Sequence, residues 1–274
     1  MKKPLFYHCA FLLFLGAMIS SCSTNEEAEV SSEANLVLEN AVAKKEKEKI
    51  NVFKGPQVQY GAGKARSWIS IDAEGKPVEI ALTFTQEVFD DLESLSPTAT
   101  VLPLHQKARE VTPFEHIGVN WSPHGHLPVF LVPHFDLHFY MITNEERLAI
   151  PEYSPETDAL FNNYPPAGYM PENYVTPPGE GSVYPQMGKH WLPMPLENYL
   201  PFTSIMVLGS YNGEFTFIEP MMTLDMLMSS PDFSDSFAQP EYFQESTYYP
   251  TVYNIYEDPE TLDIHVTLSD FVLR

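Results

Sequence analysis

Cysteine is almost absent from this chain. There are two, Cys9 and Cys22, both near the start, so a domain downstream of residue 22 has no disulfide and no thiolate metal site. Basic residues are scarce too: 15 Lys and Arg stand against 37 Asp and Glu, a net charge of −22. Such a surface repels nucleic acid and anionic headgroups, and it argues against nucleic-acid binding. One long apolar run exists, at residues 5–19, and it is too short to span a bilayer comfortably as a helix. There is no G-x-S-x-G elbow, no Gly-rich phosphate loop, no H-E-x-x-H and no repeat of fixed period.

That apolar run reads as the core of a signal peptide. Lys2 and Lys3 precede it, and "ISSC" at residues 19–22 closes it. An apolar residue, two small residues and a Cys resemble the lipobox of bacterial lipoproteins; a plain secretory peptide cut near the same serines is the alternative. The lipobox predicts removal of residues 1–21 and acylation of Cys22, with the lipid bilayer as partner. Each buried CH₂ then contributes about 0.8 kcal/mol of anchoring. The expected location is the cell envelope, at the outer membrane. Residues 22–50 read as the acylated Cys and a polar tether, with 23–32 disordered and a thinly apolar helix at 34–49. Glu26-Glu27 resembles the export signal of surface lipoproteins.

Residues 51–274 are expected to form one domain. The chain holds 25 Pro and 13% aromatics, a composition that disfavours long helices. The fold class expected is mainly β: a barrel or sandwich of antiparallel strands, with a few short helices and long Pro/Tyr-rich loops. A hairpin over residues 67–84 turns at "DAEGKP", and a short helix capped by Thr85 follows. Strands are expected at 101–104 and 114–121. The run "VFLVPHFDLHFYMI" reads as the longest β segment, with Pro133 arguing for an edge or a bulge. "YNG" marks a tight hairpin between strands at 203–210 and 214–218, and a helix starts near Thr223. Another hairpin closes the C-terminus. Residues 151–195 form a long aromatic loop of the kind that serves as a lid or an assembly surface.

Five motifs in order, "ARSWISID…GKPVEIALTFT", "GVNWSPHGHLP", "VPHFDLHFYMI", "MGKHW" and "GSYNGEFTFIEPMM", span about residues 61–227. They resemble a bacterial domain-of-unknown-function family of exported β-rich proteins. One relative belongs to an envelope-stress regulon and forms a ring-like homo-oligomer. Leu137 departs from the family's usual Phe, on the apolar face of its strand. The resemblance implies a β-rich fold, export and a homo-oligomer, and it implies no activity.

The chemistry-bearing residues lie in the same motifs. "VPHFDLHFYMI" puts His134, Asp136 and His138 on one strand face and Phe135, Leu137 and Phe139 on the other. Imidazole and carboxylate are what zinc, iron, manganese or copper accept where thiolates are lacking. Alternate strand residues lie roughly 6.5–7 Å apart, so His134 and His138, at about 13 Å, do not share an ion on a regular strand. Two ligands such as Asp136 and His138 are expected from the strand, with others from His124, His126, His190 or Glu219. The His-x-His spacing resembles cupin-like barrels, although the rest of that motif does not fit.

Blander roles are open to the same residues. Asp136 can hydrogen-bond either histidine, His126 can shape a turn, and Glu219 can cap the helix near Thr223. Met187, Met221 and Met222 read as core filler. His105, His116 and His265 read as structural or exposed, and Ser122, Ser204 and Ser210 carry no nucleophile signature. Asp136 and Glu219 as a glycosidase pair, with the aromatic loop stacking on sugar, form a further option. Three functions result: a binding or assembly lipoprotein with a divalent-metal site; a metal-dependent enzyme acting on a small molecule, with Glu219 or Asp136 as base; or a structural ring-forming envelope protein.

Overall fold

A computed structural model describes residues 49–274 except 97, 128 and 230. The expected signal peptide, the expected acylation at Cys22, the acidic pair Glu26-Glu27, and the tether and helix expected before residue 49 lie outside the described residues. The strands are β1 (Asn51–Tyr60), β2 (Gly63–Ile71), β3 (Pro77–Phe84), β4 (Thr100–Pro103), β5 (His116–Ser122), β6 (His134–Tyr140), β7 (Tyr174–Val175) and β8 (Val183–Tyr184). They continue with β9 (Gly188–Pro193), β10 (Ser204–Tyr211), β11 (Glu214–Thr223), β12 (Asp232–Ser236), β13 (Tyr248–Tyr249), β14 (Val252–Glu257), β15 (Ile264–Ser269) and β16 (Val272–Leu273).

A six-stranded sheet runs β1-β2-β3-β15-β14-β12, and an eight-stranded sheet runs β4-β5-β6-β11-β10-β9-β7, with β8 against β9. Neighbouring strands are antiparallel throughout. The fold is mainly β, and the sheets stack as a sandwich rather than closing into a barrel. Phe135, Leu137 and Phe139 of β6 share one core with Ile80, Leu82 and Phe84 of β3 and Val266 and Leu268 of β15. The Phe84 and Phe135 rings meet across the layers, 5.3 Å apart. Leu137 fills its place there fully buried, as its side of the alternation requires.

The other face of the eight-stranded sheet points away from that core, and it carries His134, Asp136 and His138. A second apolar cluster lies on this outer side: Phe130, Phe202, Ile205, Val207 and Met221. The aromatic stretch after residue 151 crosses the same side through β7 and β8, which pair with β9.

Several local expectations hold. Asn212 and Gly213 both adopt positive φ, 50° and 91°, as the tight turn between β10 and β11 requires. The Thr223 hydroxyl accepts from the Met226 N–H and caps the helix Leu224–Leu227, so the cap is Thr223 and not Glu219. The hairpins β2–β3 and β14–β15 form as expected.

Others are corrected. Thr85 makes no cap bond; its hydroxyl accepts from the Lys64 N–H instead, at 3.1 Å. The long run at residues 129–142 contributes only the seven residues of β6, shorter than the ten-residue β1 and β11. Its strand is interior, between β5 and β11. Pro133 lacks an N–H and falls just before the first paired residue, so it ends the loop instead of marking an edge. Its carbonyl accepts from the Leu224 N–H. No helix among the described residues is long and apolar enough to cross a membrane.

Candidate metal centre

The outer face of β6 is dictated by alternation, and its neighbours complete it. On β5, Asn120 stands opposite Asp136 and Ser122 opposite His134. On the other side β11 runs antiparallel, with Met221 opposite Asp136 and Ile218 opposite Phe139. That register sets Glu219 beside His138. His190 arrives from β9, opposite Gly209 of β10. His126 comes from the loop before β6, held by a pair of backbone hydrogen bonds with Phe130. Gly125 precedes it at φ +63, where a Cβ would run into the Phe130 carbonyl, so the close loop return needs glycine.

Six of the seven candidate ligands fall into two groups: His126, His134 and Asp136, and His138, His190 and Glu219. In each, the ligating atoms lie within 4.8 Å of one another, and each group can hold a metal ion. Asp136 joins His134 rather than His138. The strand thus gives all three of its polar residues, divided between two positions. His124 is exposed and belongs to neither group.

Three of the four ligand-to-ligand distances fall in the range found around one ion, and the fourth, to His126, is slightly longer. His134 Nε2 is 3.0 Å from Asp136 Oδ1, and His126 Nε2 is 3.8 Å from the same oxygen. His138 Nε2 and His190 Nε2 lie 3.4 and 3.5 Å from the two Glu219 oxygens. Ligand atoms bonded at about 2.0–2.2 Å to one ion are spaced about 2.8–3.6 Å from each other. Yet His134 Nε2, Asp136 Oδ1, His138 Nε2 and Glu219 Oε2 are all buried and have no hydrogen-bond partner among the described residues. The atoms are close, but they are not aimed at one another.

The far sides of the rings explain this. His134 Nδ1 is 2.7 Å from the Val132 carbonyl, His126 Nδ1 is 3.1 Å from that of Leu127, and His190 Nδ1 is 3.3 Å from that of Ser182. A carbonyl only accepts, so each of these Nδ1 atoms carries a proton and each ring turns its Nε2 toward a carboxylate. Metal-bound histidines are oriented in this way. Ser122 adds a further support: its hydroxyl donates to Asp136 Oδ2 at 2.9 Å.

Burial and charge set the protonation of the two groups. Burial drives His138 down to about 3, with His190 adding to the effect, and drives His190 to about 4. Burial, with the Asp136 charge behind it, pushes Glu219 well above the usual carboxylate range. For Asp136, burial acts upward, but the imidazoles of His126 and His134 outweigh it and hold the carboxyl well below its usual value.

Both groups open on one cavity of about 170 Å³, lined among others by Asn120, Ser122, Tyr184 and Met187. Asp136 and His138 are successive same-face positions, roughly 6.5–7 Å apart along the strand, so the two groups lie side by side on it.

The remaining histidines are elsewhere. His105 caps the helix Gln106–Val111 by accepting from the Lys107 N–H. His116 is buried and stacks on Tyr140, and His265 Nδ1 is 2.7 Å from the Thr83 hydroxyl. Met221 is core, as expected, whereas Met187 lines the cavity. Sequence reasoning misses Asn120 and Tyr184, and Ser122 supports Asp136 instead of standing as a candidate nucleophile. The even spacing of Asn120 and Ser122 in "GVNWS" was the available signal. Comparison with protein-family models, with curated proteins and with solved structures finds no match.

Proposed function

We propose that the protein is an exported, lipid-anchored metalloprotein that binds divalent metal at both triads and acts on a small molecule there, as a metal-dependent enzyme. The observation that carries this reading is four buried atoms with no hydrogen-bond partner among the described residues, His134 Nε2, Asp136 Oδ1, His138 Nε2 and Glu219 Oε2, each lying 3.0–3.5 Å from another candidate ligand atom. Their desolvation is offset when a cation takes the shared position. Three protein ligands per group leave an open coordination position, which structural sites do not keep. The adjoining cavity gives that position room. A metal there polarises a bound group or lowers the pKa of a bound water. Asp136 and Glu219 are then ligands, and neither serves as the general base. Zinc, iron, manganese and copper all suit the donor set. The envelope anchor at Cys22 rests on the "ISSC" motif, and a homo-oligomer on the family resemblance alone.

Metal analysis of purified protein tests the reading. Wild type is expected to hold up to two ions per chain. His126→Ala and His134→Ala should each remove one, and His138→Ala and His190→Ala the other. No bound metal, with stability unchanged on adding metal, refutes it.

A further inference from the structure

A second cavity, about 270 Å³, abuts the first. The two share His126, Tyr184 and His190 as lining residues. These three rings stand between the two chambers: Tyr184 is 6.0 Å from His126 and 4.9 Å from His190, centroid to centroid. On their far side the outer chamber is walled by Leu127, Phe130, Leu192, Val207 and Met221. Among the described residues it has no acidic, Lys or Arg side chain. The Ser182 hydroxyl on its wall is already engaged with the Gly181 and His190 carbonyls and with Thr176. Leu127, at 73% exposure, lines the chamber on its solvent side.

The inner chamber has the opposite chemistry. It collects Asn120, Ser122, Asp136, His138 and Glu219, and the Asn120 carbonyl oxygen there is buried with no partner among the described residues.

From this division we infer that the ligand of the metal centre is an amphipathic small molecule, with a compact apolar body in the outer chamber and one nitrogen or oxygen donor head reaching the metal past His126 and His190. The inference rests on the metal reading above and adds the ligand class. A sugar or a polyanion does not suit the site. Either would strip its hydroxyls or charges of water against a wall that offers almost nothing in return. An apolar body gains by leaving water there, and its head gains a metal bond.

Two probes with the same donor and different bodies separate the contributions. Imidazole and 4-phenylimidazole are titrated calorimetrically into metal-loaded and metal-stripped protein, after metal content has been measured. The phenyl compound is expected to bind the loaded protein about tenfold tighter or more, and to lose most of that affinity when the metal is removed. Leu127→Ser, at an exposed position, should shrink the phenyl advantage when each titration is compared at that variant's own measured metal content. Equal affinity for the two probes in loaded protein overturns the ligand class and leaves the metal reading standing. Binding of 4-phenylimidazole that ignores metal removal also overturns it. Protein that takes up no metal overturns both, and the metal content alone shows that.

Discussion

At the scale of single residues, Ser122 tests whether the triads work as units. Its hydroxyl donates to the Asp136 oxygen that does not face the histidines, and so it fixes how the carboxylate is turned. Loss of such a supporting bond weakens metal binding about 10–100-fold. Ser122→Ala should therefore lower affinity at the His126/His134/Asp136 position by that factor and leave the other position intact. Competition against a chromogenic chelator reads both. His116 gives a second prediction, independent of metal content. Burial, with the Arg147 charge behind it, lowers His116 from 6.5 to about 4. The unfolded chain takes up this proton as pH falls through about 6.5, and the folded chain does so only near 4. The stability that His116 contributes is present above 6.5 and lost across that window, about 3 kcal/mol in all. His116→Phe keeps a ring against Tyr140. It should flatten the fall of stability between pH 6.5 and 4 in denaturant titrations, relative to wild type.

At the scale of elements, the sheet presents the ligands and the aromatic stretch after residue 151 covers them. Lys189 of β9 ties that cover down. It is buried, and its ammonium donates to Asn162 Oδ1 and to the Gly179 carbonyl, both at 2.9 Å. The Tyr164 ring lies 5.4 Å from the same nitrogen. Three points of one long connection thus converge on one side chain. Lys189→Met keeps the stem and removes the donors. Limited proteolysis should then cut within residues 151–187 several-fold faster, while the sandwich core stays resistant. An unchanged digestion pattern would mean that the cover is held by β7 and β8 alone. The hairpins, the "YNG" turn and the Thr223 helix start were legible in the sequence, because each depends on a few adjacent residues. The extent of β6 was not. Residues 129–132 are as apolar as a strand, but Phe130 turns outward to a second core and pairs back on His126. Periodicity cannot distinguish one apolar destination from another.

At the scale of the whole molecule, the sandwich is a platform with a packed inner side and a working outer side. The inner core needs no metal, so the fold should survive a chelator. It should lose only the stability that binding adds. At a free metal concentration of 100 Kd that is about 2.7 kcal/mol. For a domain of this size it corresponds to roughly 5–11 °C in Tm. Thermal melts with and without EDTA check this. A shift near zero would mean that no metal is held, and outright unfolding would mean that the ions are structural.

The sequence by itself determined the β class, the turns and the two-faced character of β6, because composition and alternation act locally. It also supplied all six residues of the two groups, since imidazole and carboxylate are recognisable wherever they occur. Only the tertiary structure decided how they group. Asp136 lies as near in sequence to His138 as to His134, and its partner is set by the His126 loop and by ring orientations fixed through backbone carbonyls. His190 and Glu219 reach His138 only through the register of β9, β10, β11 and β6. Register between strands distant in the chain is a property of the assembled sheet, because it depends on every side chain that must be buried at once.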